Sequence, residues 1–233
     1  MCTLSLHHSN NQLIVTSNRD EHEQRPNSLL PTSQLLGGTT HLFAQDALAL
    51  GTWLVVNECG KFTVLLNGAF ERHERQSSYR ISRGQVLLKA CSTNSVIDYL
   101  MNESLQDIEP FQVVHGNLSA TSHFLWDGNQ KHCIHLPLKE RHFFCSPTLY
   151  NEHQRRNLEM LHEKLSIPHG EEAKVLWNFH TLEQSGNGLK LERLPMMTTS
   201  TSQCVITASH VHYHYLNHMN NESFQQSLEL LTE

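Results

Sequence analysis

An apolar–polar run carrying Leu4 and Leu6 opens the chain, and a second run begins at Leu13-Ile14-Val15. The segments Cys2–His8 and Gln12–Asn18 are therefore expected to be strands, joined at the turn-forming cluster Ser9-Asn10-Asn11. Thr52–Asn57 and Lys61–Asn67 form another apolar pair around Glu58-Cys59-Gly60. The spacing then changes: Val86, Leu87 and Ala90, followed by Val96, Ile97 and Leu100, predict helices over Arg83–Ala90 and Asn94–Met101. Strand-like runs return at Phe111–His115, His123–Asp127, Cys133–Leu136 and His142–Cys145, with Asp127-Gly128-Asn129 as a hairpin turn. Leu158, Leu161 and Leu165 stripe one face of a charged helix over Asn151–Leu165, and Glu171–Phe179 reads as a further helix capped by Gly170. Cys204–Ser209 and Val211–Leu216 close the chain as strands. Strands, then helices, then strands again predict an α+β fold of two packed sheets covered by helices. No repeat, low-complexity tract or Pro/Gly linker divides the chain, so 1–233 is read as one domain.

Composition narrows the function classes. A chain of 233 residues can bury a substantial core without disulfides. Its formal net charge of −6, without a basic block, argues against nucleic-acid binding. No run of about 18 apolar residues predicts a membrane span, and no charged n-region with an apolar core marks a secretory signal. The six cysteines (Cys2, Cys59, Cys91, Cys133, Cys145, Cys204) are far apart and form no C-x-x-C pair. They read as reduced thiols in a cytoplasmic protein. His210, His212 and His214 alternate and would share one strand face, a spacing that metals accept. No Cys or carboxylate lies within that run, so it is taken as a polar strand face and no metal site is expected.

Cys2 directly follows Met1. A small second residue leads to removal of the initiator, and the mature chain would then begin with a cysteine carrying both a thiol and a free α-amine. The amine, with an ordinary pKa near ~7.7–8.0, can take the thiol proton near neutral pH. Nucleophile and base then come from one residue. A hairpin of Cys2–His8 and Gln12–Asn18 would return Asn18-Arg19-Asp20-Glu21 to its side. There an arginine favours thiolate and an acid holds the ammonium form. The catalytic expectation is Cys2, Arg19, Asp20 and Asn67, the last as an oxyanion donor at a strand end, though Asn also suits the turn before Gly68. Asn18, Glu21 and Trp53 are expected to contact substrate, Trp53 having a buried core position as its alternative.

Met1-Cys2 with Asn18-Arg19-Asp20-Glu21 resembles the NRDE family, named for that tetrapeptide, whose eukaryotic relatives are the transport-and-Golgi-organisation proteins. Arg25-Pro26, Gly37-Gly38, Gly51-Thr52-Trp53, Leu66-Asn67-Gly68 and Ser82-Arg83-Gly84 add to the likeness, as does Ser146-Pro147-Thr148-Leu149-Tyr150. The resemblance implies a four-layer αββα sandwich of the N-terminal nucleophile hydrolase type, near the choloylglycine and penicillin V acylases. In those acylases an acid stands three positions after the arginine, where this chain has His22, with Asp20 adjacent instead. The implied activity is a Cys-type amidohydrolase acting on a small linear amide or related acyl compound, with no cofactor. The alternative implied by the resemblance is a carrier of haem or a lipid-like ligand.

Overall fold

The computed structural model describes residues 3–9, 11–138 and 141–231. In chain order its strands are β1 (Thr3–Ser9), β2 (Gln12–His22), β3 (Leu29–Leu36), β4 (Thr39–Gln45), β5 (Leu54–Asn57), β6 (Phe62–Asn67), β7 (Phe111–Gly116), β8 (Thr121–Trp126), β9 (Lys131–Leu136), β10 (His142–Cys145), β11 (Glu192–Arg193), β12 (Met196–Ile206), β13 (His210–Asn217) and β14 (Ser223–Glu229). The helices are α1 (Arg83–Cys91), α2 (Val96–Asn102), α3 (Glu152–Glu163) and α4 (Glu172–Thr181). One sheet runs β10-β1-β2-β12-β13-β14, with β11 on β12, and the other β3-β4-β5-β6-β7-β8-β9. Every described strand pairing is antiparallel.

Side-chain parity explains the layering. Leu4, Leu6, Leu13 and Val15 of the first sheet meet Val56, Phe62, Val64 and Leu66 of the second in one buried cluster between the sheets. On its far side the second sheet turns Phe43, Val55, Leu65 and Val113 toward Val86, Leu87 and Leu100 of α1 and α2. A smaller cluster, Tyr150, Leu158, Phe179 and Leu189, joins α3 and α4 outside the first sheet. The order is helix, sheet, sheet, helix, as an αββα sandwich requires. No described helix is long and apolar enough to cross a membrane.

The expected helices and most strands form within a few residues of their anticipated limits. Four differences are physical. β2 runs on to His22 instead of stopping at Asn18, because Asp20, Glu21 and His22 keep pairing with Thr198, Met197 and Met196 of β12. β12 accordingly begins at Met196, through a run of hydroxyl side chains (Thr198, Thr199, Ser200, Thr201) that is buried despite its polarity. β3 and β14, at sheet edges, carry no apolar alternation clear enough to announce a strand; β3 even contains Pro31, which an edge accepts. At α4 the N-cap is Glu171, without a side-chain cap, and Gly170 precedes it at φ +84.

Candidate functional site

Successive side chains of a strand point to opposite faces, and β2 uses both. Leu13 and Val15 face the inter-sheet core, and Arg19 and Glu21 continue that odd-numbered row into the wall of a cavity of about 830 Å³. Asn18 and Asp20 point the other way, into the layer of α4. Asn18 is fully buried and bonded throughout: its Nδ2 donates to the His180 carbonyl at 2.9 Å, and its Oδ1 accepts from the Thr201 hydroxyl at 2.9 Å and faces His180 Nδ1 at 3.1 Å. His180 in turn meets the Ser5 hydroxyl through Nε2 at 2.8 Å. Asp20 Oδ1 accepts from the Thr198 hydroxyl at 2.5 Å. Burial pushes the Asp20 carboxyl up, while its hydrogen bonds from Thr198 and Tyr150 act in the opposite direction.

Arg19 is 4% exposed, so its charge needs partners inside the protein. Nη2 forms an ion pair with Asp46 and lies 3.4 Å from Glu21 Oε2; Nη1 donates to Thr199 Oγ1 at 2.9 Å. The guanidinium sits 4.9 Å from the centroid of the Trp53 ring, a cation–π contact. Asp46 is the junction of this network. It also takes Arg25 through Nη2 at 2.8 Å and Nε at 3.1 Å, and its Oδ1 accepts the backbone N–H groups of Leu48 and Ala49 at 3.1 and 2.7 Å. Burial alone would raise the Asp46 carboxyl. The Arg25 hydrogen bond, the Ala49 amide and the charges of Arg19 and Arg25 outweigh it and hold the group at about 2.

The partner strand is irregular where this network needs it. Thr198 pairs with Asp20 and Ser200 with Arg19, leaving Thr199 as the extra residue of a β-bulge. The Thr199 hydroxyl donates to the Arg19 carbonyl at 3.1 Å while accepting from the same residue's guanidinium. The bulge thus supplies Arg19 with a side chain that flat pairing would not.

On the opposite wall, Asn67 ends β6. Its carbonyl accepts the Ser146 hydroxyl at 2.6 Å, and its side-chain amide makes no hydrogen bond among the described residues. Gly68 follows at φ +77, and a Cβ there would stand 2.8 Å from Thr148 Cγ2 and 2.9 Å from Pro147 Cγ, so Gly is required on two counts. Gly51 and Gly84 lie back to back: a Cβ on Gly51 would come within 2.6 Å of the Gly84 carbonyl carbon. This close approach lets the first turn of α1 form cavity wall beside Thr52 and Trp53. Next to it, Arg83 bonds Glu109 at 3.0 Å.

The model of the family described as Transport and Golgi organisation 2 matches residues 1–215. The chain belongs to this family. No curated protein matches its sequence. Among solved structures, an N-acylethanolamine-hydrolyzing acid amidase ortholog from Caenorhabditis elegans is similar at TM-score 0.62 and 11% identity, covering 87% of this chain and 92% of that one. Conjugated bile acid hydrolase from Clostridium perfringens gives 0.58 at 9%, covering 100% and 97%. Penicillin V acylase from Agrobacterium tumefaciens gives 0.55 at 12%, covering 97% and 85%. These likenesses establish the N-terminal nucleophile hydrolase fold for this Transport and Golgi organisation 2 family member.

Of the residues singled out in the sequence, Arg19, Glu21, Trp53 and Asn67 line one cavity. Trp53 is also core, at 5% exposure, so its two readings coincide. Asn18 and Asp20 are separated from that group by the plane of β2, and Cys2 lies outside the described residues. His214 stacks on Trp177 of α4 with centroids 3.8 Å apart, and His212 Nδ1 meets the Ser227 hydroxyl at 2.9 Å. Sequence reasoning missed Asp46, Thr199 and His180. Asp46 left one local signal, an Asp opening a loop whose following N–H groups it can accept. Thr199 left none, because a bulge is a property of the paired strand.

Proposed function

We propose that this protein is an N-terminal-cysteine hydrolase that cleaves a linear amide or related acyl compound, with Cys2 as nucleophile after removal of Met1. The observation that carries this reading is the seating of Arg19: buried, fixed by Asp46 and Thr199, and set in the wall of a cavity large enough for a small acyl compound. Cys2 is bonded to Thr3, whose strand partner is Asn18, the neighbour of Arg19. Consecutive Cα atoms are only ~3.8 Å apart. The family membership and the acylase-like fold support the same chemistry.

In this reading the α-amine of Cys2 takes the thiol proton, and the sulfur attacks the substrate carbonyl carbon. Asn67, whose amide has no other described partner, donates to the developing oxyanion. The carbon–nitrogen bond then breaks, and the leaving amine takes the proton from the α-ammonium. Water, deprotonated by the same amine, adds to the thioester; the carbon–sulfur bond breaks, the acid is released and the thiol is restored. Arg19 lowers the cost of the thiolate, and Asp20, on the other face of the strand end, orients the α-ammonium. A reducing cytoplasm suits a mechanism that needs a free thiol, and the five described cysteines are all free.

The test combines intact mass with a turnover screen over N-acyl amino acids, simple amides and acyl thioesters. Expected are a chain lacking Met1, turnover abolished by Cys2→Ala, and a loss of roughly 10²–10³ for Asn67→Ala. A retained Met1 would sink the proposal. So would the absence of turnover on every substrate together with haem binding that survives Cys2→Ala.

A further inference from the structure

The cavity wall carries an uneven set of charges. Four guanidinium groups line it, those of Arg19, Arg25, Arg75 and Arg83, against three carboxylates, Glu21, Asp46 and Glu109. The carboxylates are already committed. Asp46 is shared by Arg19 and Arg25, and Glu21 lies against Arg19. Glu109 gives Oε2 to Arg83 at 3.0 Å and Oε1 to His73 at 3.2 Å. Arg75 reaches only the already engaged Oε1, through Nε at a long 3.9 Å, and makes no hydrogen bond among the described residues. Its side chain is 79% exposed at the cavity's edge. Arg83 and Arg75 therefore share one carboxylate between two positive charges. Burial pushes Arg83 down to about 10, and Arg75 is among the charges that act in the same direction. An anion entering beside Arg75 would relieve that repulsion and fill a bidentate donor fork that no protein group occupies.

Among the polar side chains of the rest of the wall, Trp53, Leu65, Ile81 and Met196 supply the apolar surface against which an acyl chain can lie. We propose that the substrate is an N-acyl amino acid, its acyl chain on this apolar surface and its carboxylate on Arg75. This inference rests on the hydrolase reading above and names the substrate class for the same cavity.

Binding separates the two. On the Cys2→Ala chain, which cannot consume ligand, titration calorimetry would compare N-decanoylglycine with its neutral methyl ester, with and without Arg75→Ala. The glycinate should bind about two- to fivefold more tightly than the ester, the range of one ion pair at an exposed arginine. Arg75→Ala should bring that ratio close to one, and raising salt from 50 to 500 mM should weaken the glycinate selectively. Equal affinities, a ratio that survives Arg75→Ala, or no binding of either ligand would overturn the proposal. Decyl phosphate displacing N-decanoylglycine at lower concentration would overturn the carboxylate assignment. Arg75-dependent binding in a chain whose wild type turns nothing over would leave this inference standing and remove the hydrolase reading. Turnover of neutral amides with no preference for the carboxylate would do the reverse.

Discussion

Replacing Asp46 with asparagine keeps the shape of the side chain and, through Oδ1, the acceptor for the Leu48 and Ala49 amides, but it removes the charge that Arg19 and Arg25 share and turns the Oδ2 acceptor of both guanidinium groups into an N–H donor. Two routes give the size of the effect. The drop of the carboxyl from 3.8 to about 2 corresponds to roughly 2.5 kcal/mol at about 1.4 kcal/mol per pKa unit. Breaking a buried ion pair costs about 3–5 kcal/mol when the remaining charge is stranded; here Glu21, 3.4 Å from Arg19, offsets part of that. Asp46→Asn should therefore destabilise the fold by about 2–4 kcal/mol at pH 7, and Asp46→Ala by about 1 kcal/mol more, through loss of the loop acceptor. The pH dependence carries the sign. The folded-state pKa lies below the unfolded one, so the contribution is complete above about pH 4 and is lost as pH falls toward about 2. Urea denaturation of wild type and Asp46→Asn at pH 7, 4 and 2.5 should show the gap narrowing only in the last step. A gap below 1 kcal/mol at neutral pH, or one that persists undiminished at pH 2.5, would refute the junction described for Asp46.

Further outcomes follow from the same structure. Asn18→Ala removes a fully buried amide with partners on α4 and β12 and should cost about 2–4 kcal/mol in chemical denaturation; a shift under 1 kcal/mol would contradict its anchoring role. Burial holds His115, His162 and His218 at about 4, below the ordinary 6.5, so the unfolded chain takes up protons that the folded one refuses. Stability should fall as pH drops from about 6.5 to about 4, a window distinct from that of Asp46, and a flat melting temperature across it would be inconsistent with these environments. A limiting dose of iodoacetamide with peptide mapping should label Cys2 before Cys91 and Cys145, whose thiols burial pushes up to about 11 and about 12; first labelling of either buried thiol would count against Cys2 as the reactive group.

Elements with strong periodicity were readable from the sequence, because their pattern reports directly which face is buried. Leu4 and Leu6 mark the inner face of β1, and Val86, Leu87 and Ala90 mark the inner stripe of α1. The hidden elements are those whose buried residues are polar or whose strands lie at an edge. β12 buries Thr198 and Thr201 because Asp20 and Asn18 of β2 accept their hydroxyls, information that sits more than 150 residues away in the chain. The candidate site was legible as a location, since the hairpin delivers Arg19 and Glu21 to the cavity. It was not legible as a division of labour: four adjacent residues alternate between two faces, and only pairing reveals which pair meets the cavity. Asp46 escaped because ion pairing across 27 positions leaves no periodic trace.

The bulge at Thr199 acts as a phase shift within one strand. Upstream of it an even-numbered residue, Thr198, faces the helix layer and meets Asp20; downstream the even-numbered Cys204 and Ile206 face the inter-sheet core, and the odd-numbered Thr201 meets Asn18. A spacing of three on β12 thereby serves a spacing of two on β2. Deleting Thr199 would restore regular alternation along the whole strand. Thr198 would still meet Asp20, and Cys204 and Ile206 would still face the core, so what the inserted residue adds is the Thr199 hydroxyl that accepts from the buried Arg19 guanidinium.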